Sequence, residues 1–200
     1  ETGRVSINSD LGRLKEKYIL NIRRSTESDR IAISGIHTSA FGREQGQEIV
    51  ELVNALLVDD TAKPLLSLVA EKDARLVGHI LFTVARLQPG DQEVPVRILA
   101  PLAVSSDFQG EGIGGVLIRE GLKQLAESGV DLVFVLGHPG YYPKFGFQTA
   151  GELGFEAPYP IPAEHADAWM VQELKAGVID SNEGRVQCSE VLNQPRHWRE

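Results

Sequence analysis

The chain has 200 residues, of which 42% are hydrophobic and 24% are charged, and its formal net charge is −8 at pH 7. These proportions are typical of an ordinary globular domain with one sizeable core. The acidic net charge argues against nucleic acid as a partner. The sequence has no run of 18 apolar residues, so no membrane-spanning helix is predicted. The single cysteine, Cys188, excludes a disulfide framework and a multi-cysteine metal site.

The first residues show little periodicity. We expect residues 1–17 to form an N-terminal arm, either loose or with a short helix at 11–18. Residues 18–24 have the pattern of a short strand. No internal repeat, low-complexity tract or linker interrupts the remainder, so residues 18–200 are predicted to form a single domain.

Two amphipathic helices are predicted next. Residues 25–41 form the first, with Ser25 or Thr26 as its N-cap. Its apolar side chains near helical spacing are Ile31, Ile33, Ile36 and Ala40. Residues 43–57 form the second, whose apolar face contains Ile49, Leu52, Val53, Leu56 and Leu57.

A β-hairpin is expected after the helices. Residues 65–87 contain two apolar runs on either side of Lys72, Asp73 and Ala74. Residues 90–93 are predicted to turn the chain, and residues 94–104 then form a third long strand.

Glycine is concentrated between that strand and the next predicted helix, residues 113–128. It occupies positions 110, 112, 114 and 115. The first amides of a helix are unsatisfied and carry partial positive charge, and glycine lets an anionic group approach such a backbone closely. A tight turn needs fewer glycines, so the pattern favours a phosphate-binding loop.

The second half of the chain returns to strands. Its expected elements are a buried strand at 131–137, a turn or short helix at 138–147, a strand at 147–151, a Pro-rich loop at 154–168 and a strand at 169–174. Trp169 and Met170 open the last strand and are expected in the core. Hairpins followed by a strand–helix–strand unit indicate an α/β protein of the α+β type, with a central mixed, mostly antiparallel sheet and helices on both faces. We assign no role to residues 181–200.

Two common phosphate-binding patterns can be compared with this loop. The Walker pattern requires Gly-Lys-Ser/Thr, which the loop lacks. Gly110, Gly112 and Gly115 satisfy the dinucleotide fingerprint G-x-G-x-x-G, but that motif also requires an acid at the end of the next strand. Here the next strand ends in Gly137 and His138. A nucleotide-binding oxidoreductase is therefore disfavoured.

Residues 102–118 resemble the cofactor-binding segment of the GNAT superfamily of N-acetyltransferases. The family signature is Arg or Gln, two residues, Gly, one residue, then Gly or Ala, and Gln109, Gly112 and Gly114 fill it. Tyr142 and the Gly-Phe pair that follows it match the family's Tyr-x-x-x-Gly-Phe element. The similarity covers about residues 18 to 175 and is greatest to a branch of predicted N-acetyltransferases with a GHPxYYxxFGF element.

This resemblance implies a GNAT-type acyl-CoA N-acyltransferase fold with acetyl-CoA as the acyl-donor co-substrate. In the family, the loop and helix start hold the pyrophosphate, and the preceding strand binds the pantetheine arm. The implied cofactor-binding residues are Leu102, Ala103, Val104, Gln109, Gly110, Glu111, Gly112, Ile113, Gly114, Gly115 and Tyr142. The family often has an Asn shortly before the short helix, where this chain has Gly-His-Pro-Gly.

Acetyl transfer needs a neutral amine, a stabilised oxyanion and a proton for the departing thiolate. The resemblance places Tyr142 as general acid, and a phenol of pKa near 10 suits that role, although Tyr142 is also compatible with packing alone. The base stays open. His138 is a candidate base, polar site residue or turn cap. His79 is a candidate base, pocket residue or core residue, and a water relay needs neither histidine. No pair of histidines has the spacing of zinc ligands, so no metal is expected.

The expected function is that of an N-acetyltransferase, moving an acetyl group from acetyl-CoA to a primary amine by direct attack in a ternary complex. We expect a cytoplasmic enzyme whose partner is a small-molecule amine or a peptide amine, without nucleic-acid or membrane partners, and compatible with a homodimer. The alternatives are an acyltransferase that uses a longer acyl-CoA or an acyl carrier protein, and a non-catalytic CoA-binding module.

Overall fold

The computed structural model of the protein describes residues 3–6, 19–89 and 94–198. The helix expected at 11–18 and the turn expected at 90–93 lie outside these residues. Contacts divide the chain into two units. The first comprises Glu1–Asn54, Leu66–Leu81 and Pro101–Gly121, and the second comprises Ala55–Leu65, Phe82–Ala100 and Leu122–Glu200. The expectation of a single domain stays a prediction.

Ten strands and three α-helices are found in the part of the chain that the structure describes. The strands are β1 Gly3–Ser6, β2 Ile19–Arg24, β3 Leu66–Lys72, β4 Arg75–Gln88, β5 Val96–Val104, β6 Leu132–Leu136, β7 Gln148–Thr149, β8 Phe155–Glu156, β9 Trp169–Glu173 and β10 Gly184–Gln187. The helices are α1 Arg30–Phe41, α2 Arg43–Val58 and α3 Ile113–Glu127.

Within the first unit the strand order is β1-β2-β3-β4-β5. β2 pairs with both β1 and β3 in antiparallel fashion. Asp73 and Ala74 join β3 to β4, and both have positive φ angles, 50° and 59°. A two-residue loop with positive φ at both positions matches the twist of paired strands, so the predicted hairpin is confirmed. β1 falls within the arm for which no strand is predicted.

Within the second unit the order is β4-β5-β6-β9-β7, because β4 and β5 contribute residues to both units. β5 and β6 are parallel, whereas β9 is antiparallel to both of its neighbours. β10 pairs with β4 and with β8. The predicted mixed sheet is confirmed, and the tail to which the sequence assigns no role supplies one of its strands.

The C-terminal segment also contributes to the core of the second unit. Trp198 is buried and packs edge-on against Trp169, with ring centroids 5.6 Å apart. Trp169 stacks on Phe134 at 5.1 Å, and its indole nitrogen donates to the Phe155 carbonyl oxygen at 3.0 Å. The prediction that Trp169 and Met170 are core residues is confirmed, since they are 3% and 1% exposed.

α1 departs from its predicted apolar face at one position. Ile33 and Ile36 are buried as expected, but Ile31 is 88% exposed. His37 is fully buried in the same helix. The buried face therefore runs through Ile33, Ile36 and His37, and the spacing of Ile31 from Ile36 does not fit it.

An ion pair holds the junction between β2 and α1. Two nitrogens of the Arg23 guanidinium lie 2.7 and 2.9 Å from the two carboxylate oxygens of Asp29. The backbone N–H of Thr26 donates to the same carboxylate at 2.7 Å. The Arg23 guanidinium and these hydrogen bonds hold the pKa of Asp29 well below its usual range, despite the opposing effect of burial.

Asp29→Ala is expected to lower the free energy of unfolding by roughly 2–4 kcal/mol at pH 7, because it removes a charge-assisted bidentate pair together with the carboxylate that accepts a hydrogen bond from the Thr26 backbone N–H. The matched control is Asp60→Ala, which removes an exposed pair with Lys63 and is expected to cost less than about 1 kcal/mol. Urea unfolding at pH 7 measures both.

Because the pKa of Asp29 is lowered in the folded protein, its stabilising effect is present above the carboxyl's ordinary pKa and is lost as the pH falls through the folded value. The difference between the parent and Asp29→Ala should therefore shrink below about pH 4. A difference as small as that of Asp60→Ala at pH 7 would contradict this role for Asp29.

Candidate functional site

The glycine-rich segment connects β5 to α3. β5 ends at Val104, a single 3₁₀ turn follows at Ser106–Phe108, and α3 begins at Ile113, as the sequence predicts. The N–H of Val116 donates to the Gly112 carbonyl oxygen at 3.2 Å. The amides of the three residues before Val116 therefore precede the first intrahelical hydrogen bond and carry the positive end of the helix dipole.

Two of the glycines adopt a backbone conformation that other residues rarely take. Gly110 and Gly112 have φ angles of 82° and 81°. Apart from each glycine and its two chain neighbours, no heavy atom of the described residues lies within 4 Å of where a Cβ would stand on either. Both are exposed, whereas Gly114 and Gly115 are buried in the first turn of α3. The bare, open backbone at Gly110 and Gly112 leaves room for a ligand beside the helix N-terminus.

Hydrogen bonds fix the segment between β5 and the loop. The side-chain amide of Gln109 donates to the Val104 carbonyl oxygen at 3.0 Å. The backbone N–H of Ser106 donates to the Ser39 hydroxyl of α1, also at 3.0 Å. Gln109, the first residue of the family signature, thus contributes by tying the loop to the end of β5.

Close packing sets the depth of α3 on β4. A Cβ added to Gly78 of β4 would lie 2.9 Å from a methyl of Leu117 and 3.2 Å from one of Ile113. The first turn of α3 therefore rests directly on a strand position that has no side chain.

The other face of β4 is covered by α1. His79, the residue after Gly78, points to this opposite face of the strand and its ring lies 2.8 Å from that of His37 of α1. Within the first unit, helices cover both faces of β4, as predicted.

β5 extends beyond its pairing with β6. The two strands are paired from Val96 to Leu99, and β5 continues to Val104. For Leu102, Ala103 and Val104, no pairing with β6 is found among the described residues. Backbone groups that have no hydrogen-bond partner in a neighbouring strand need a partner elsewhere. These three residues are the ones expected to bind the pantetheine arm of the cofactor.

His79 lies in a buried chain of hydrogen bonds. Its Nδ1 is 2.8 Å from Nε2 of His37, and its Nε2 is 2.9 Å from the Ser67 hydroxyl. The Ser25 hydroxyl donates to that of Ser67 at 2.6 Å. Both histidines are fully buried. Burial, followed by the neighbouring His37, lowers the pKa of His79 to about 3, and burial lowers that of His37 to about 4.

Sequence reasoning missed His37. The available signal was its spacing, since it lies four residues after Ile33 and four before Phe41 on the buried side of α1. A neutral, enclosed His79 whose ring nitrogens both have partners corresponds to the core alternative considered for it. The enclosed hydrogen bonds of His37 and His79 support a structural role for these two histidines.

Tyr142 and His138 belong to the second unit. Tyr142 begins a 3₁₀ turn, Tyr142–Phe145, and is 8% exposed. Its ring lies against Gly137, where a Cβ would collide with it. Tyr141 and Phe147 contact the Tyr142 ring edge-on, with centroids 5.3 and 5.6 Å away. Packing thus restricts the ring of Tyr142.

His138 is exposed, and its Nδ1 accepts a hydrogen bond from the N–H of Gly140 at 3.0 Å. This bond corresponds to the turn-capping alternative. It also fixes the tautomer, because an accepting Nδ1 leaves the proton of a neutral imidazole on Nε2.

Cys188 belongs to the second unit. Cys188 is partly buried, and burial raises the pKa of its thiol to about 11. The described residues contain no group of three or more His, Cys, Asp or Glu side chains arranged to hold a metal ion. In the same ranges no helix combines the length and apolar character that a membrane span requires.

Comparison with known proteins now identifies the family. A family model described as "Acetyltransferase (GNAT) domain" matches residues 21–150. The chain belongs to the GNAT acetyltransferase family. The matched range contains the glycine loop, β5, α3 and Tyr142, so the resemblance drawn from these segments is confirmed.

Curated and solved GNAT proteins resemble the chain over most of its length. It is 45% identical over 166 residues to the uncharacterized N-acetyltransferase YjhQ of Escherichia coli K12, covering 82% of this chain and 89% of that protein. The structure of Escherichia coli YhbS in complex with CoA superposes with a TM-score of 0.76 at 28% identity, covering 86% and 91% of the two chains. A Brucella melitensis GNAT acetyltransferase in complex with acetyl-CoA gives 0.67 at 31% identity, covering 86% and 97%.

The buried histidines predict a steep pH dependence of stability. Their folded pKa values lie below the ordinary histidine value of 6.5. The unfolded chain therefore binds protons that the native state does not, and stability falls as the pH drops from about 6.5 toward 4. Each histidine contributes a slope of up to about 1.4 kcal/mol per pH unit in this window.

His37→Gln removes one titrating group, so the slope between pH 6.5 and 5 should decrease by up to about 1.4 kcal/mol per unit. Urea unfolding at half-unit pH intervals measures it. Thr38→Ala, at the exposed neighbouring position of α1, removes no titrating group; it is the control and should keep the parent's slope. An unchanged slope in His37→Gln would show that His37 is not held neutral in the folded protein.

Proposed function

We propose that this GNAT protein transfers an acetyl group from acetyl-CoA to a primary amine, by direct attack within a ternary complex. The observation that carries the proposal is the open backbone at Gly110 and Gly112 beside the N-terminus of α3, in a chain of this family. The complexes of YhbS with CoA and of the Brucella protein with acetyl-CoA support the choice of donor.

In this proposal the loop holds the pyrophosphate and β5 holds the pantetheine arm. Amides from Gly112 to Gly115 bind the phosphate oxygens, since they are the donors that α3 itself does not use. The backbone of Leu102 to Val104 hydrogen-bonds the pantetheine amides. An N–H of the same strand segment stabilises the oxyanion that forms when the amine attacks the thioester.

Tyr142 is proposed as the general acid. When the tetrahedral intermediate collapses, the CoA sulfur leaves as a thiolate and needs a proton. A phenol, with an ordinary pKa near 10, is well matched to a thiol of similar pKa. Packing by Tyr141, Phe147 and the bare Gly137 supports the assignment, because a restricted ring presents its hydroxyl in a defined direction.

We assign no protein side chain as the base. His79 is enclosed and neutral, with both nitrogens engaged. His138 is exposed and presents Nε2 as a donor, because Nδ1 accepts from Gly140, so it serves better as a polar site residue than as a base. The amine proton is proposed to leave through water.

The acceptor is proposed to be a small-molecule amine or a peptide amine, acetylated in the cytoplasm. The net charge of −8 favours a cationic acceptor over a polyanion such as nucleic acid. Incubation with acetyl-CoA and a panel of amines, followed by mass spectrometry of the acetylated product, tests the proposal. Transfer from a longer acyl-CoA but not from acetyl-CoA would replace the donor, and CoA binding without transfer to any amine would favour a binding module.

Gly112→Val is expected to weaken binding of acetyl-CoA at least tenfold, because a branched side chain fills the open space beside the amides and strains a positive φ. Isothermal titration measures the affinity. Gly129→Val is the matched control: Gly129 follows the C-terminus of the same helix, with φ 82° and equally open surroundings among the described residues. It should suffer similar strain and bind acetyl-CoA like the parent. Unchanged affinity in Gly112→Val would show that the loop does not hold the cofactor.

Tyr142→Phe keeps the packed ring and removes the hydroxyl. Turnover should fall about 100-fold or more, the usual size of a general-acid contribution. Affinity for acetyl-CoA should change little, and the high-pH limb of the rate profile should move because ionisation of the phenol no longer matters. Steady-state kinetics from pH 6 to 10 on an identified amine measures these effects.

Tyr141→Phe, which removes the neighbouring hydroxyl, is the control and should keep near-parental turnover. If Tyr142→Phe retains the parent's turnover while chemistry is rate-limiting, Tyr142 is a packing residue only. Tyr141 or a bound water then becomes the candidate acid.

A further inference from the structure

The β3–β4 hairpin brings two cations against the glycine loop. Lys72 is the last residue of β3 and Arg75 the first of β4. The Lys72 ammonium lies 5.3 Å from the centroid of the Phe108 ring, and the Arg75 guanidinium carbon lies 5.6 Å from it. Both distances fall within the range of a cation–π contact. The hairpin is separate in sequence from the loop signature and from the Tyr-x-x-x-Gly-Phe element.

Glu111 places a carboxylate where the phosphates of CoA are proposed to bind. It stands between Gly110 and Gly112, whose open backbone and following helix N-terminus suit an anion. A fixed negative charge there repels the phosphates of CoA. In this structure the Lys72 ammonium lies 2.7 Å from the Glu111 carboxylate and compensates its charge.

The two partners differ in exposure. The side chain of Lys72 is 11% exposed, and that of Glu111 is 43% exposed. A largely buried ammonium without a counter-charge is costly, whereas a half-exposed carboxylate that loses its partner can be hydrated. Loss of this ion pair therefore costs more at Lys72, whose ammonium is largely buried, than at Glu111.

We propose that Lys72 exchanges anions when CoA binds, leaving Glu111 for a phosphate group of the cofactor. Glu111 then serves as a placeholder, which holds the Lys72 ammonium beside the glycine loop and over Phe108 until the pyrophosphate or the 3′-phosphate replaces it. The inference rests on the proposed position of CoA at the glycine loop. It adds Lys72 to the cofactor-binding residues, and it makes the Glu111 carboxylate a competitor of the CoA phosphates for the Lys72 ammonium. No covalent bond changes, and one ion pair replaces another.

A double-mutant cycle tests the exchange. The affinity for CoA is measured by isothermal titration at low ionic strength for the parent, Glu111→Gln, Lys72→Met and the double variant. Glu111→Gln should bind CoA about three- to tenfold more tightly, because the competing charge is gone. Lys72→Met should bind about tenfold or more weakly, since a charge-assisted contact is lost. The double variant should remain about tenfold weaker than Glu111→Gln.

The double variant separates the exchange from simple neutralisation. If Lys72 only compensates Glu111, the double variant binds as tightly as Glu111→Gln, and the proposal is overturned. Weaker binding by Glu111→Gln than by the parent also overturns it, because the carboxylate would then support the loop. A parent that binds no CoA removes the proposed function as well, so the two failures are distinguishable.

Dephospho-CoA, which lacks the 3′-phosphate, identifies the group that Lys72 contacts. If Lys72→Met and the parent bind dephospho-CoA equally well, Lys72 contacts the 3′-phosphate of CoA. If Lys72→Met still binds dephospho-CoA more weakly than the parent does, Lys72 contacts the pyrophosphate. Lys63→Met removes the same charge from an exposed pair with Asp60 and should leave CoA affinity unchanged. Thermal melting of each variant verifies that it is folded.

Discussion

The contact between Gly78 and the first turn of α3 sets the geometry on which the candidate site depends. With no side chain at Gly78, Leu117 and Ile113 pack directly on the β4 backbone. The helix N-terminus is thereby held at a fixed depth beside the end of β5, and Gln109 ties the connecting loop to Val104. Binding of an anion by backbone amides requires such rigidity, because the donors have no side-chain freedom with which to adjust.

Polar groups hold α1 to the sheet within the first unit. Arg23 and Asp29 join the start of the helix to β2, and His37 joins its middle to β4 through His79. Such directional bonds need one alignment of helix and strands, whereas apolar contacts tolerate small shifts. α1 also contacts the turn before the glycine loop, through Ser39 and Ser106, so its alignment extends to the candidate site.

The sequence predicts the elements with strong local periodicity and misses those that depend on distant partners. The β3–β4 hairpin, α2 and α3 carry their own signals in spacing and turn residues. β10 is stabilised by pairing with β4 and β8, and a four-residue strand has too little local pattern to be recognised. The glycine loop is predictable because its backbone demands glycine, whereas the Lys72–Glu111 pair joins residues 39 positions apart and has no local signature.

Cys188 has a practical consequence for following the reaction. Acetyl transfer converts a thioester into a free CoA thiol, and reagents that detect thiols react with the thiolate form. The protein has one cysteine, and burial raises its pKa to about 11. At pH 8 a thiol whose pKa is raised in this way stays protonated, and partial burial shields it further. Colorimetric thiol detection can therefore report turnover continuously with the natural cysteine in place.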